Sequence, residues 1–122
     1  MIVVDGNSSG NTIKLINNKS IIKCISEKGR AKQMNKGAEK ASGKILLFLH
    51  ADTALPEKAF ECIEDVFKKG KFTAGAFDLG FNEKKWICKI IAKSASIKHR
   101  LTRVPYGDQA IFIKKEYFTS IN

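Results

Sequence analysis

Short apolar segments alternate with amphipathic ones along the first half of the chain. Residues 2–5, 20–26 and 45–49 are rich in branched side chains, which predicts strands buried on both faces of a parallel sheet. Residues 29–42 instead carry apolar side chains at helical spacing, with lysines elsewhere around the axis. This pattern predicts an amphipathic helix that Gly43 ends.

The pattern continues into the second half of the chain. A second helix is expected to start at Pro56 and to end before Gly70, because proline favours the first helical turn and glycine the position after the last. Its apolar stripe consists of Phe60, Ile63, Val66 and Phe67. Residues 73–81 predict another strand, in which two glycines leave room for a close approach of backbone or ligand.

A basic segment follows, and residues 84–101 predict a longer helix. Two interpretations of its lysines and arginines stay open: a solvated face over a packed apolar face, or a peripheral contact with an anionic membrane surface. Residues 110–113 predict a final strand, and residues 116–118 begin a further element.

Strands that alternate with helices predict right-handed crossovers and a three-layer, Rossmann-like α/β sheet, here as a single domain over residues 1–122. In such sheets ligands bind beyond the carboxyl ends of the strands. Three polar clusters fall there, at residues 5–12, 26–30 and 50–53.

Composition narrows the class of protein. The longest aliphatic or aromatic run, residues 45–49, is far shorter than the roughly 20 residues of a membrane-spanning helix, and the first residues lack a secretion leader. We therefore expect a cytoplasmic protein. Cys24, Cys62 and Cys88 are widely spaced, which favours reduced core residues over a disulfide framework or zinc site.

The net charge of +10 favours anionic partners: nucleotide diphosphates, nucleic acid or acidic lipid. Nucleic acid is the weakest of these predictions, because the sequence contains neither an aromatic stacking platform nor a recognisable nucleic-acid-binding motif.

Asp5 begins the first polar cluster at a strand end. Asp5, Gly6 and Ser8 belong to a run of small, turn-forming residues that could bring backbone amides close to a nucleoside. The alternative is a strand-to-helix turn capped by serine or asparagine.

His50 and Asp52 follow the most hydrophobic strand. In extended chain, residues two apart point to the same side, so the imidazole and the carboxylate could share Mg²⁺ or Mn²⁺. The alternative is that Asp52 only closes the turn before Pro56.

Two further positions are candidates. Arg30 enters a helix where amides and dipole already favour an anion, so its guanidinium could grip a phosphate. Asp108 follows a Pro-Tyr-Gly turn and either satisfies local amides or lies on the acceptor side of a cleft.

Three segments, taken in order, resemble successive signatures of family 2 glycosyltransferases: IVVDGNS at residues 2–8, GRAKQMNKG at 29–37 and LFLHADT at 47–53. The LHADT segment at residues 49–53 and PYGDQAIF at 105–112 resemble one bacterial and archaeal subgroup of glycosyltransferase-like transferases. The resemblance covers essentially the whole chain.

The resemblance implies a GT-A fold and transfer of a sugar, with inversion, from a nucleotide-diphosphate sugar, usually with Mg²⁺ or Mn²⁺. Asp5 would then lie by the nucleoside, Arg30 near the nucleotide, and Asp52 would be the metal-binding aspartate of an Asp-x-Asp pattern. The acceptor and the sugar are not implied.

The chain departs from the family pattern at four places. Gly6 stands where many relatives have a second aspartate, and His50 replaces the first aspartate of Asp-x-Asp. Relatives also begin with an additional strand and loop, and beyond residue 118 they continue to a Glu-Asp pair that supplies the general base. Asp108 is the remaining candidate base, and the chain looks truncated at both ends.

Two expectations follow from these departures. The first is an alternative to an enzyme: a non-catalytic fragment that retains at most weak nucleotide binding. The second is that the chain self-associates, because loss of an outer strand would expose a sheet edge.

Overall fold

The structure is a computed structural model that describes residues 1–68, 70, 72–77 and 110–121. The chain divides into two compact units, Met1–Leu46 and Leu47–Asn122. The helix predicted at residues 84–101 and the end of the strand predicted at 73–81 lie outside the described residues, as does Asp108.

The first unit contains two strands and two helices: β1 (Ile2–Asp5), α1 (Asn11–Lys14), β2 (Ile22–Ile25) and α2 (Arg30–Lys40). The two strands pair in parallel, from Ile2 opposite Ile22 to Asp5 opposite Ile25. Helix α2 packs against both strands, as its amphipathic pattern predicts. The carboxyl ends of β1 and β2 therefore lie side by side, and residues 26–29 connect β2 to α2.

The core of the first unit is small. Its buried apolar residues are Ile13, Ala38 and Leu46. The prediction that residues 20–26 are buried on both faces is wrong, because Ile22 and Ile25 are 48% and 46% exposed. Branched residues favour a strand but do not fix which of its faces is covered.

The second unit contains a three-stranded sheet in the order β3-β5-β4, where β3 is Ile45–Phe48, β4 is Ala74–Ala76 and β5 is Ile111–Lys114. Strand β3 begins at the end of the first unit. Its helices are α3 (Ala59–Lys68) and α4 (Lys115–Ser120). Strands β4 and β5 are antiparallel, with Gly75 opposite Phe112.

Phe112 lies at the centre of the second unit's core. Its ring meets Phe67 of α3 edge-on at 5.6 Å and Phe77 at 5.5 Å between ring centroids. Ala59, Ile63 and Ala110 are buried as well. The predicted stripe on α3 is only partly correct, because Ile63 is buried whereas Phe60 is 67% exposed.

Two predicted helix boundaries are wrong by a few residues. Helix α2 ends at Lys40 because Ala41 is already extended, two residues before Gly43. Helix α3 begins at Ala59 rather than at Pro56, whose carbonyl accepts a 3.0 Å hydrogen bond from the Ala59 amide and closes a turn before the helix. Proline and glycine thus mark the flanking turns here rather than the helix ends.

The mixed α/β content is confirmed. The described strands form two sheets, of two and of three strands. The single-domain and GT-A arrangements stay predictions. None of the helices in the described part of the chain has the length and apolar character needed to cross a membrane.

Candidate functional site

The carboxylate of Asp5 organises the loop that follows β1. Its Oδ1 accepts a 2.9 Å hydrogen bond from the Asn7 amide, and its Oδ2 accepts a 3.2 Å hydrogen bond from the Thr12 amide in α1. One side chain thus ties together the start of the loop and the first turn of the next helix. Asp5 is therefore the residue that caps this turn, a role that the sequence had suggested for serine or asparagine.

These hydrogen bonds also set the ionisation of Asp5. The hydrogen bond from the Asn7 amide, assisted by those from Ile13 and Thr12, lowers the pKa of the Asp5 carboxyl below its ordinary value. Partial burial acts in the opposite direction without overcoming them. Asp5 is consequently a fixed negative charge at neutral pH.

The middle of the loop is held by a second side chain. Asn7 Oδ1 accepts hydrogen bonds from both the amide and the hydroxyl of Ser9, at 3.1 and 2.9 Å. Gly10 then turns the chain with φ of 60°, a left-handed conformation that favours glycine. Ser8 is exposed at the tip of this turn.

Gly6 lies under the side chain of Gln33 from α2. A β-carbon built on Gly6 would come within 3.0 to 3.2 Å of the carboxamide carbon, oxygen and nitrogen of Gln33. The Gln33 Nε2 donates a 3.1 Å hydrogen bond to the Val4 carbonyl of β1. The carboxyl end of β1 and the first turn of α2 are thus in direct contact.

The amino terminus of α2 is open to an anion. No side chain caps it, its first turn contains no acidic residue, and Gly29 precedes it with φ of 143°. Arg30 is the first helical residue and is exposed. Two residues further on, Lys32 forms a surface ion pair with Glu27, whereas Arg30 adds its positive charge to that of the helix dipole.

The chain after β3 turns rather than continuing straight. The Thr53 amide donates a 3.1 Å hydrogen bond to the His50 carbonyl, and residues 51 and 52 lie in the turn. The expectation that His50 and Asp52 point to one side of an extended segment is therefore wrong, since β3 ends at Phe48. Asp52 is exposed and His50 is half-buried.

A divalent metal fits this turn only with outside ligands. Within the described ranges, no three His, Cys, Asp or Glu side chains lie close enough together to hold an ion. Magnesium in nucleotide sites is usually held by one or two carboxylates plus substrate phosphates. Asp52 is an exposed carboxylate that can provide that kind of ligand.

Two residues that contact the carboxyl end of β1 were not singled out individually from the sequence: Gln33 and Thr12. Both approach residues 4–6 from elsewhere in the chain. The signal for Gln33 was its place in the segment at residues 29–37, four positions after a helix-opening glycine. The structure thus brings Asp5 and Gly6 together with the first turn of α2, in which Arg30 is the first residue.

The chain matches a known protein family. The model of the family described as "Glycosyl transferase family 2" matches residues 1–115 of the chain. No curated protein and no solved structure matches it.

Proposed function

The chain belongs to glycosyl transferase family 2, and on that premise we propose that it binds a nucleotide-diphosphate sugar and transfers the sugar, with inversion, to an acceptor. The observation that best supports donor binding is the loop after β1. There Asp5 fixes the shape of the loop by accepting hydrogen bonds from the Asn7 and Thr12 amides, next to the uncapped amino terminus of α2.

Arg30 is the residue that we propose for contact with the diphosphate. A guanidinium at a helix start adds two directed hydrogen-bond donors to the free amides and the positive end of the dipole. Asp5, Gly6 and Ser8 are proposed to line the nucleoside side of the same loop.

Asp52 is proposed to hold Mg²⁺ or Mn²⁺. The turn that begins at His50 removes the extended geometry on which the sequence-based expectation of His50 as a second ligand rested. The chemistry that such an ion supplies is neutralisation of the charge that develops on the departing diphosphate. The exposure of Asp52 supports the proposal, since the remaining ligands would come from the phosphates.

Inversion requires a single displacement at the anomeric carbon. The acceptor hydroxyl oxygen forms the new bond as the bond to the diphosphate breaks, and a base takes the hydroxyl proton. We propose Asp108, outside the described residues, as that base. The proposed enzyme works in the cytoplasm, against the membrane surface if its acceptor is a lipid.

Calorimetric titration of UDP and GDP, with and without Mn²⁺, tests this function. We expect Mn²⁺ to tighten binding in the wild type, and Asp52→Ala to remove that gain while leaving metal-independent binding intact. Asp65→Ala, which removes an exposed carboxylate from α3, is the matched control and should retain the gain. Absence of nucleotide binding by the folded wild type would instead favour a non-catalytic protein.

A further inference from the structure

Gln33 bridges the first turn of α2 and the edge of β1. Its Nε2 donates a 3.1 Å hydrogen bond to the carbonyl of Val4, 29 positions earlier, and the side chain is half-buried. The carbonyls of Met1 and Asp5 accept hydrogen bonds from the β2 side, so the carbonyl of Val4 faces the opposite edge of β1. The carboxamide is therefore fixed at that edge, close to the carboxyl end of the strand.

The same carboxamide explains why residue 6 is a glycine. The distances from a β-carbon on Gly6 to the Gln33 Cδ, Oε1 and Nε2 differ by only 0.2 Å, from 3.0 to 3.2 Å, so the flat face of the carboxamide lies on Gly6. Gly6 is not among the glycines with positive φ, and its backbone does not itself require glycine. The missing side chain makes room for Gln33.

The hydrogen bond to Val4 fixes the orientation of the amide. Because a carbonyl can only accept, the atom next to it must be the amide nitrogen, and the Oε1 oxygen is left as an acceptor. Within the described part of the chain, the Gln33 side chain makes this one hydrogen bond. Both carboxylate oxygens of the neighbouring Asp5, in contrast, already accept hydrogen bonds from backbone amides, of Asn7 in the loop and of Thr12 in α1.

We propose that Gln33 determines which nucleobase the donor carries, with its Oε1 accepting a hydrogen bond from a ring N–H. The inference rests on the proposed function, because it assumes a nucleotide at the end of β1. Uracil and guanine have a ring N–H at the centre of their pairing edge, whereas cytosine and adenine have a bare ring nitrogen there. An acceptor facing a ring N–H is matched, and one facing a bare nitrogen is repelled.

Titration of UDP and CDP into the full chain measures this directly, because the two ligands share ribose and diphosphate. We expect the wild type to prefer UDP by about tenfold, the value of one added hydrogen bond and one avoided mismatch. Gln33→Met keeps the length of the side chain but removes both polar atoms, and should bring the ratio of the two dissociation constants close to one. GDP against ADP is the same comparison for purines.

Two further variants separate base reading from damage to the helix. Lys40→Met places the same side chain at the exposed far end of α2 and should retain the wild-type ratio. Gly6→Ala keeps Gln33 but pushes against its carboxamide, and should lower the ratio as well. Gly6→Ala carries the test by itself if Gln33→Met does not fold.

The outcomes distinguish the inference from the function on which it rests. If the wild type binds no nucleotide, the proposed function fails. If it binds UDP and CDP equally, and GDP and ADP equally, or if Gln33→Met and Gly6→Ala leave the preference unchanged, the role of Gln33 is overturned while nucleotide binding stands.

Discussion

The Asp5 carboxylate accepts a hydrogen bond from the Thr12 amide at 3.2 Å, across a loop of small polar residues. This contact joins the end of β1 to the start of α1, and the hydrogen bond from Asn7 joins the same carboxylate to the intervening turn. Donor binding would use a loop whose shape depends on one ionised side chain.

Because its pKa is lowered in the fold, Asp5 should stabilise the protein above the unfolded pKa of about 4. The contribution should be lost as the pH falls through the lower folded pKa. We expect Asp5→Asn to lower the denaturant concentration at the unfolding midpoint at pH 7. We also expect this midpoint to fall less steeply with decreasing pH in the variant than in the wild type. Denaturant titrations of both proteins between pH 2 and 7 measure the difference. If the unfolding midpoints of the two proteins change in parallel with pH, Asp5 does not contribute to stability in this way.

Arg30→Ala should weaken UDP binding by about 10- to 150-fold, because a charge-assisted contact with phosphate is worth roughly 1.5 to 3 kcal/mol. Lys40→Ala removes the same charge from the other end of α2, about 15 Å away for a helix of this length, and should change affinity much less. Equal losses in calorimetry for the two variants would indicate attraction by net charge rather than a contact of Arg30.

Gly75 of β4 leaves space for the ring of Phe112 on β5. A β-carbon on Gly75 would come within 2.5 Å of the ring, which is held in turn by Phe67 and Phe77. We expect Gly75→Ala to destabilise the fold by about 1 to 3 kcal/mol through overpacking. Chemical denaturation measures the cost, and adding Phe112→Leu should recover part of it. If the second substitution only deepens the loss, the clash is not its cause.

Ile63 and Phe60 lie on the same helix in contrasting environments. Ile63 is 4% exposed and Phe60 67% exposed. Truncation of Ile63 to alanine should cost about 2 to 5 kcal/mol, whereas Phe60→Ala should stay within about 0.5 kcal/mol. Thermal and denaturant unfolding of Ile63→Ala and Phe60→Ala measure the two losses of stability. A comparable loss for Phe60→Ala would mean that its ring is covered in solution.

The sequence predicted the positions of strands better than it predicted which of their side chains are buried. Strand β1 was predicted to the residue, because its branched side chains and terminal aspartate are local signals. The exposure of Ile22 and Ile25 depends on what covers β2, which no local pattern contains. At His50 the sequence left extended chain and a turn closed by Asp52 both open, because a strand pattern does not show where pairing stops, and the structure has the turn.

The candidate site was likewise predicted only in part. Asp5 and Arg30 were singled out as candidates because each stands at the boundary of a strand or helix, and their roles stay predictions. Gln33 was missed because its role depends on a contact 29 residues away in sequence. Gly6, in turn, resembles an ordinary turn glycine until the carboxamide above it is known.

The central claim, that a nucleotide binds at the end of β1 and the start of α2, is tested most directly by a titration of UDP followed through backbone amide NMR signals. We predict saturable shifts at Asn7, Gly10 and Thr12 and in the first turn of α2, with inorganic pyrophosphate moving mainly the α2 signals. Saturable shifts that leave both of these segments unchanged, or no shifts at all, would contradict the account.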